Sequence, residues 1–139
     1  MRRRLLRHGF LLFTLGMLTG LAIPLFTNPR MGLSAHLAGA MSGLFLAVLG
    51  LAVDEVRLGE RARATMAGLA VWSNYLGWAA LAAAGVLGTA RATPIAGAGF
   101  GAALWKENLV AAGLGLFSAA TLVVLVMVLR GLSGERSAS

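Results

Sequence analysis

Residues 11–51 read LLFTLGMLTGLAIPLFTNPRMGLSAHLAGAMSGLFLAVLGL. Two long apolar stretches in this segment flank a short polar turn that contains Pro29. A helix needs about 20 mostly apolar residues to cross the hydrocarbon core of a bilayer, and each stretch approaches that length. The segment therefore predicts two membrane-spanning helices joined by a tight turn.

The same length criterion finds two further spans in the rest of the chain. The four predicted spans cover residues 9–26, 33–53, 65–87 and 105–129. The beginning of the fourth span stays open between residues 98 and 105, because the preceding segment is rich in Gly and Ala. We expect an all-α integral membrane protein whose residues 1–139 form a single domain, an antiparallel bundle of four transmembrane helices.

Composition agrees with a lipid environment. Hydrophobic residues make up 58% of the chain and charged residues only 12%, about half the charged share of a soluble domain. The net charge of +7 comes from short basic clusters between the apolar stretches, a pattern that does not favour nucleic acid binding. The chain has no cysteine, and its two histidines are not at ligand spacing, so we expect no metal site.

Arginine and lysine are unevenly divided between the two sides of the predicted spans. Nine of the 12 fall on the side of the N-terminus: Arg2, Arg3, Arg4, Arg7, Arg57, Arg61, Arg63, Arg130 and Arg136. The other three, Arg30, Arg91 and Lys106, fall on the opposite side. Because basic residues accumulate on the cytoplasmic side of membrane proteins, both termini are predicted to be cytoplasmic.

Glycine pairs four residues apart occur in three places: Gly16 and Gly20, Gly39 and Gly43, and Gly97 and Gly101. Residues at this spacing share one helix face, and glycine there lets two helix backbones approach closely. We expect tight helix packing within the bundle or between protomers, and we expect a homo-oligomer.

A first polar cluster lies in NPRMGLSAHL, residues 28–37. Pro29 restricts Asn28 to extended backbone and predicts a turn, and Ser34 stands where we expect the N-cap of the second helix. Arg30 and His36 lie at the same membrane boundary. They are either interfacial structural residues or part of a functional site, since polar groups are costly inside a membrane.

A second cluster is WSNYLGW, residues 72–78. Asn74 and Tyr75 lie four and three residues before Trp78, so helical periodicity places them near one face, and Trp72 lies three residues before Tyr75. This cluster is interpreted as the wall of a pocket for a flat, partly polar ligand. The alternative is a hydrogen bond from Asn74 to a neighbouring helix.

A third cluster is WKEN, residues 105–108. Glu107 is a candidate proton donor, and Asn108 follows it. The alternative is that the carboxylate simply complements the positive end of the helix dipole. Ser42, deeper in the second helix, could connect the outer polar residues with the cluster around Asn74.

NPRMGLSAHL with the following Gly39 and Gly43, and more loosely WSNY and WKENLV, resembles the hydroxylaminobenzene mutases. These are small bacterial membrane enzymes of nitroaromatic degradation. The resemblance implies an isomerase of the bacterial inner membrane that moves the hydroxyl group of an arylhydroxylamine from nitrogen to the ring, giving an aminophenol. Such a rearrangement needs no redox cofactor, so no cofactor is expected.

The polar residues can be matched to this chemistry as a hypothesis. Glu107 or His36 would supply the proton that assists N–O cleavage, and aromatic faces would stabilise the electron-poor ring. Residues expected to hold the hydroxyl or line the pocket are Arg30, Asn28, Ser42, Trp72, Asn74, Tyr75, Trp78 and Asn108. Two alternatives stay open: a small transporter or a subunit of a membrane complex, and a quinone- or haem-associated redox subunit with His36 as sole ligand.

Overall fold

The computed structural model describes residues 1–133, and every regular element in this part of the chain is helical. The helices are α1 (Arg2–Ala22), α2 (Pro29–Ala52), α3 (Glu60–Leu87) and α4 (Leu104–Ser133). A 3-10 turn, Ile23–Leu25, follows α1. All four helices are long and apolar enough to cross a membrane, as the sequence predicts.

All four helices begin before the predicted apolar spans, and α1 and α2 also end before them, at Ala22 and Ala52. Helix α1 already begins at Arg2, because arginine and leucine are good helix formers and nothing in RRRLLRH interrupts the helix. Helix α4 begins at Leu104, close to the later of the two predicted starts.

The predicted N-cap of α2 was wrong. Asn28 caps the helix, and its Oδ1 accepts hydrogen bonds from the N–H groups of Arg30 (3.0 Å) and Met31 (3.3 Å). Pro29 occupies the first helical position, where a missing N–H carries no penalty. Ser34 already lies inside the helix and donates its hydroxyl to the carbonyl of Arg30 at 3.1 Å.

Successive helices run antiparallel, so the connections collect at two ends of the molecule. At the charged end, the N–H of Arg57 donates to the carbonyl of Gly131 (2.9 Å). At the opposite end, called the loop end, the N–H of Asn28 donates to the carbonyl of Gly85 (3.0 Å). The charged end holds the N-terminus, residues 53–59 and the last turn of α4, and the loop end holds residues 23–28 and 88–103. Arg136, also predicted for the charged end, lies outside the described residues.

Glycines bring the backbones of α1 and α2 into direct contact. A Cβ atom on Gly16 would lie 2.6 Å from the backbone nitrogen of Ala40, and one on Gly39 would lie 2.6 Å from the Cα of Gly16. Gly43 is equally close to Phe13. Any larger residue at these positions would force the helices apart, so the predicted packing role of these glycines is confirmed.

The prediction for Gly97 and Gly101 was wrong. Both lie in the connection 88–103 and not on a helix, because Pro94 and the surrounding glycines interrupt helical hydrogen bonding. The N–H of Gly97 donates to the carbonyl of Thr93 (2.7 Å), and a Cβ atom on Gly101 would meet nothing within 4 Å. These two glycines therefore belong to a loop and make no contact between helices.

The bundle is open on two sides. Helix α4 packs against α3 alone among the described elements, and only 6% of its most apolar window is buried. Helices α1 and α3 touch only slightly, which leaves a groove between them. Within residues 1–133, α2 packs against both α1 and α3, and α4 packs on the other side of α3.

Candidate functional site

The predicted site residues occupy three levels of the molecule and do not share one pocket. Glu107, Asn28, Arg30 and Asn108 lie at the loop end, and we call them the loop-end cluster. His36 and Trp78 lie about two turns from the loop-end termini of α2 and α3 and, with Thr19 in the last turn of α1, form what we call the middle cluster. Trp72 and Tyr75 lie in the groove between α1 and α3.

Glu107 is buried and folds the connection 88–103 around its carboxylate. The N–H of Ala90 donates to both carboxylate oxygens (3.1 and 3.2 Å). The N–H groups of Arg91 (2.9 Å) and Ala102 (3.1 Å) donate to one oxygen each. Charge-assisted bonds to peptide groups are strong, so Glu107 fixes the path of this connection into α4.

The other members of the loop-end cluster also bind the connection 88–103. The buried Asn28 side chain donates to the carbonyl of Ala96 at 2.9 Å, in addition to capping α2. Arg30 donates to the carbonyl of Ala98, and its guanidinium carbon lies 5.8 Å from the centre of the Phe100 ring.

Asn108, one residue beyond Glu107, binds the same connection from the surface. Its Oδ1 accepts from the guanidinium of Arg91 at 3.2 Å. Most polar groups of the loop-end cluster are thus already hydrogen-bonded to the connection 88–103.

His36 in the middle cluster has one fixed and one unoccupied ring nitrogen. Its Nδ1 lies 2.8 Å from the carbonyl oxygen of Gly16. A carbonyl only accepts, so Nδ1 carries the hydrogen and the neutral ring has its lone pair on Nε2. Within residues 1–133, Nε2 has no hydrogen-bond partner. Gly20 makes room for the ring, because a Cβ atom there would lie 2.6 Å from Nδ1.

Trp78 reaches from α3 to the same part of α1. Its Nε1–H donates to the hydroxyl of Thr19 at 3.1 Å, and that hydroxyl donates to the carbonyl of Leu15 at 2.7 Å. A Cβ atom on Gly39 would lie 2.9 Å from the indole Cδ1 and 2.6 Å from the Cα of Gly16. The indole of Trp78 and the imidazole of His36 are therefore both held against the glycine-lined contact of α1 and α2.

Thr19 was missed by the sequence analysis. A hydroxyl inside a predicted span was the available signal, but a threonine that bonds its own helix four residues back is also common in membrane helices. Only the partner on α3, 59 residues away, distinguishes Thr19 from such a residue.

Asn74 and Ser42 are buried on α3 and α2. The side-chain amide of Asn74 donates to the carbonyl of Ala70 in its own helix at 2.8 Å. The hydrogen bond to a neighbouring helix, which the sequence analysis raised as the alternative, is therefore not what this amide group makes.

Tyr75 contacts His8, a residue that the sequence analysis left out of the site. The Tyr75 hydroxyl lies 3.5 Å from both Nδ1 and the backbone oxygen of His8, and the two rings meet edge to face with centroids 5.8 Å apart. Trp72 is half exposed beside them. The pairing joins positions 67 residues apart, and no pattern in the sequence indicates it.

The middle cluster is the arrangement with chemical capacity. It combines an imidazole whose Nε2 can take up a proton and, once protonated, give it back, with an indole whose face can stabilise a cation. No group of three or more His, Cys, Asp or Glu side chains that could hold a metal ion occurs in residues 1–133.

Comparison with known proteins gives two kinds of match. The family model for styrene oxide isomerase matches residues 1–133. Hydroxylaminobenzene mutase HabB of Ectopseudomonas oleovorans is 44% identical over 131 residues, which cover 94% of this chain and 80% of that protein. Hydroxylaminobenzene mutase HabA of the same organism is 32% identical over 137 residues, which cover 94% of this chain and 100% of that protein. No solved structure matches.

Proposed function

We propose that this chain, which belongs to the styrene oxide isomerase family and is homologous to the hydroxylaminobenzene mutases, is a membrane-embedded isomerase of arylhydroxylamines. The substrates in the relatives' names share a chemical feature. Styrene oxide carries a C–O bond, and hydroxylaminobenzene an N–O bond, at the atom attached to a benzene ring. Heterolysis of either bond leaves an electron-poor centre conjugated to the ring, so one kind of site serves both reactions.

For an arylhydroxylamine the rearrangement conserves all atoms. The N–O bond breaks and its electron pair leaves with oxygen, which takes up a proton. This oxygen then forms a C–O bond to a ring carbon and gives the added proton back. The ring carbon loses its own proton, and nitrogen gains one. The product is an aminophenol, and a group that first donates and later accepts a proton can serve the whole sequence.

His36 is the residue that we assign to this proton transfer. The observation that carries the assignment is the bond from Nδ1 to the carbonyl of Gly16, because it leaves Nε2 to carry the transferred proton. The protonated ring donates this proton to the leaving oxygen, and the neutral ring takes one back in the later step. Glu107, the other predicted donor, accepts hydrogen bonds at both oxygens, so we assign it to positioning the loop.

We assign to Trp78 the role of stabilising the electron-poor ring of the substrate. A desolvated cation–π contact stabilises a cation by about 2 kcal/mol, which corresponds to about 30-fold in rate. The bond to Thr19 fixes the plane of the indole. Asn74 and Ser42 are the buried polar side chains that we propose for binding the hydroxyl group.

The loop-end cluster would act through the connection 88–103. Arg30 and Asn28 hold the backbone of this connection at Ala98 and Ala96, and Asn108 holds Arg91. We propose that the connection closes the loop end of the bundle and keeps water from the reacting ring, which would otherwise be captured by solvent.

We further propose that the four helices cross the bacterial inner membrane with the charged end in the cytoplasm. Eight of the basic residues described lie at the charged end and three at the loop end. Because the chain has no cysteine, single cysteines can report the side. In intact cells, a membrane-impermeant maleimide should label Ile95→Cys, whose position is 90% exposed, and leave Glu55→Cys unlabelled. The reverse result would overturn the orientation.

The open face of α4 supports a homo-oligomer. Leu116, Leu122 and Val123 are among its exposed apolar side chains, and lipid or a second copy must cover them. Mass measurement of the detergent-purified protein tests this proposal, and a monomer at all concentrations would contradict it.

The reaction is tested by adding phenylhydroxylamine to membranes that contain the protein and measuring 2-aminophenol. We expect product with the wild type and a much lower rate with His36→Ala. No product from a folded wild type would favour the transporter or subunit alternative. A Soret band in the purified protein would instead show that haem is bound, and its loss in His36→Ala would identify the ligand.

A further inference from the structure

The groove between α1 and α3 at the charged end is not used by the proposed reaction. It is an open depression of about 560 Å³, and its lining includes Arg4, His8, Gly68, Trp72, Tyr75 and Leu76. A second cavity of about 560 Å³ adjoins it, shares Arg4 and His8, and adds Arg3 and Arg7. Basic side chains therefore surround one mouth of the groove.

The arginines at this mouth have no partners in the part of the chain that the structure describes. Among residues 1–133, the side chains of Arg3, Arg4 and Arg7 make no ion pair and no hydrogen bond. They lie within two turns of one helix, so their charges repel one another. A bound anion would relieve that repulsion.

The groove changes in polarity along its length. Next to the arginines stand Trp72, which is 50% exposed, and Tyr75, two residue types that favour the headgroup region of a bilayer. Leu76 and Ala79 continue the lining on α3. From residue 71 to residue 79 the helix rises about 12 Å at 1.5 Å per residue. The order is basic, then aromatic, then apolar, which matches the headgroup, glycerol region and upper acyl chain of a phospholipid.

We propose that this groove binds one anionic phospholipid. Its phosphate contacts Arg4 together with Arg3 or Arg7, and its acyl chain lies against Leu76 and Ala79. The inference rests on the membrane placement proposed above and does not depend on the isomerisation.

A built site differs from general attraction between a basic helix and an acidic membrane. General attraction to an acidic membrane depends on the number of basic residues and not on the shape of the protein surface. Each basic residue near the membrane surface therefore contributes similarly. A site depends on which arginine is removed and on whether the groove is open.

The first experiment compares two arginines of the same helix. Delipidated protein in detergent is incubated with phosphatidylglycerol or phosphatidylcholine and examined by native mass spectrometry. We expect one phosphatidylglycerol per wild-type chain and no retained phosphatidylcholine. Arg4→Gln should reduce retention about fivefold or more, whereas Arg2→Gln, which removes the same charge outside both cavities, should change it less than about twofold.

The second experiment closes the groove and leaves every charge in place. A Cβ atom on Gly68 meets nothing within 4 Å, so Gly68→Leu should fold and fill the groove. Gly115→Leu on the exposed face of α4 is the matched control, since a Cβ atom there also meets nothing. We expect Gly68→Leu to lose the lipid and Gly115→Leu to keep it.

Three results would overturn the proposal. The first is an equal loss of phosphatidylglycerol in Arg4→Gln and Arg2→Gln together with normal phosphatidylglycerol retention in Gly68→Leu. That result would indicate general attraction between charges. The second is no retention by the wild type. The third is a cross-link that places a second copy of the chain in the groove. Aminophenol formation is measured in the same samples: if the wild type makes none and still retains the lipid, only the proposed reaction fails.

Discussion

The loop-end cluster and the middle cluster both place polar side chains in or beside apolar segments, but their hydrogen bonds differ. At the loop end, Glu107, Asn28 and Arg30 bond peptide groups of the connection 88–103. In the middle, His36 uses one ring nitrogen for the backbone and keeps the other unoccupied within the described residues. A buried polar residue is thus a stronger candidate for chemistry when part of its bonding capacity remains unused.

The sharpest test of this comparison is His36→Ala. We expect turnover to fall by about 100-fold or more, because general acid–base catalysis contributes on that scale. His8→Ala is the matched control: it removes the other histidine, and turnover should change less than about threefold. Elution as a single species in detergent confirms folding. Full activity in His36→Ala would remove the middle cluster from the reaction.

Gly20→Ala tests whether the position of the imidazole matters as well as its presence. The new Cβ atom would lie 2.6 Å from Nδ1 of His36 and displace the ring from the Gly16 carbonyl. We expect turnover to fall about 10-fold, since small displacements of a catalytic group are costly. Gly59→Ala, where the new Cβ atom meets nothing within 4 Å, should leave turnover unchanged. Equal rates in the two variants would show that the ring has freedom to move.

The bond between Trp78 and Thr19 is tested with a double-mutant cycle. Trp78→Phe keeps an aromatic face and removes the donor, and Thr19→Val removes the acceptor. Each change should lower turnover about three- to fivefold, the scale of one hydrogen bond. The double variant should be no slower than the slower single variant. Additive effects would mean that the two side chains act separately.

The smallest effect on turnover is expected at Glu107. Glu107→Gln should change turnover of the folded enzyme less than about twofold and lower its thermal stability, because charge-assisted bonds to three peptide groups weaken. Thermal unfolding in detergent measures the loss. Asn108→Ala, whose bond to Arg91 is exposed, should barely change stability. If Glu107→Gln folds and is inactive, the loop-end cluster takes part in catalysis, and the distinction between the two clusters is wrong.

The four helices were predictable because their apolar stretches are long and polar turns separate them. The rotation of each helix about its axis was not predictable to the same degree. Apolar residues surround all sides of these helices, so no apolar stripe distinguishes a face toward a neighbour from a face toward lipid. Gly16, Gly39 and Gly43 were the exception, since glycine marks the face where backbones meet.

The site was predictable only in part for the same reason. His36 and Trp78 were found as polar or aromatic residues in apolar segments, but their shared contact with α1 depends on helix rotation. The contacts of Glu107 depend on the fold of a loop that has no periodic pattern. Asn28 was recognised as a turn residue, and its capping role was given instead to Ser34, because both residue types favour caps.

Asn28 also has a consequence for the order in which the protein assembles. The contact between α1 and α2 is local, so this hairpin can form as soon as both helices have left the ribosome. The bonds of Asn28 to Gly85 and Ala96 wait for segments synthesised more than 50 residues later. Until α3 and the connection 88–103 arrive, the turn around Asn28 lacks these bonds. Truncation after residue 59 should therefore leave an inserted hairpin whose turn a protease can reach, and extension past residue 96 should protect it.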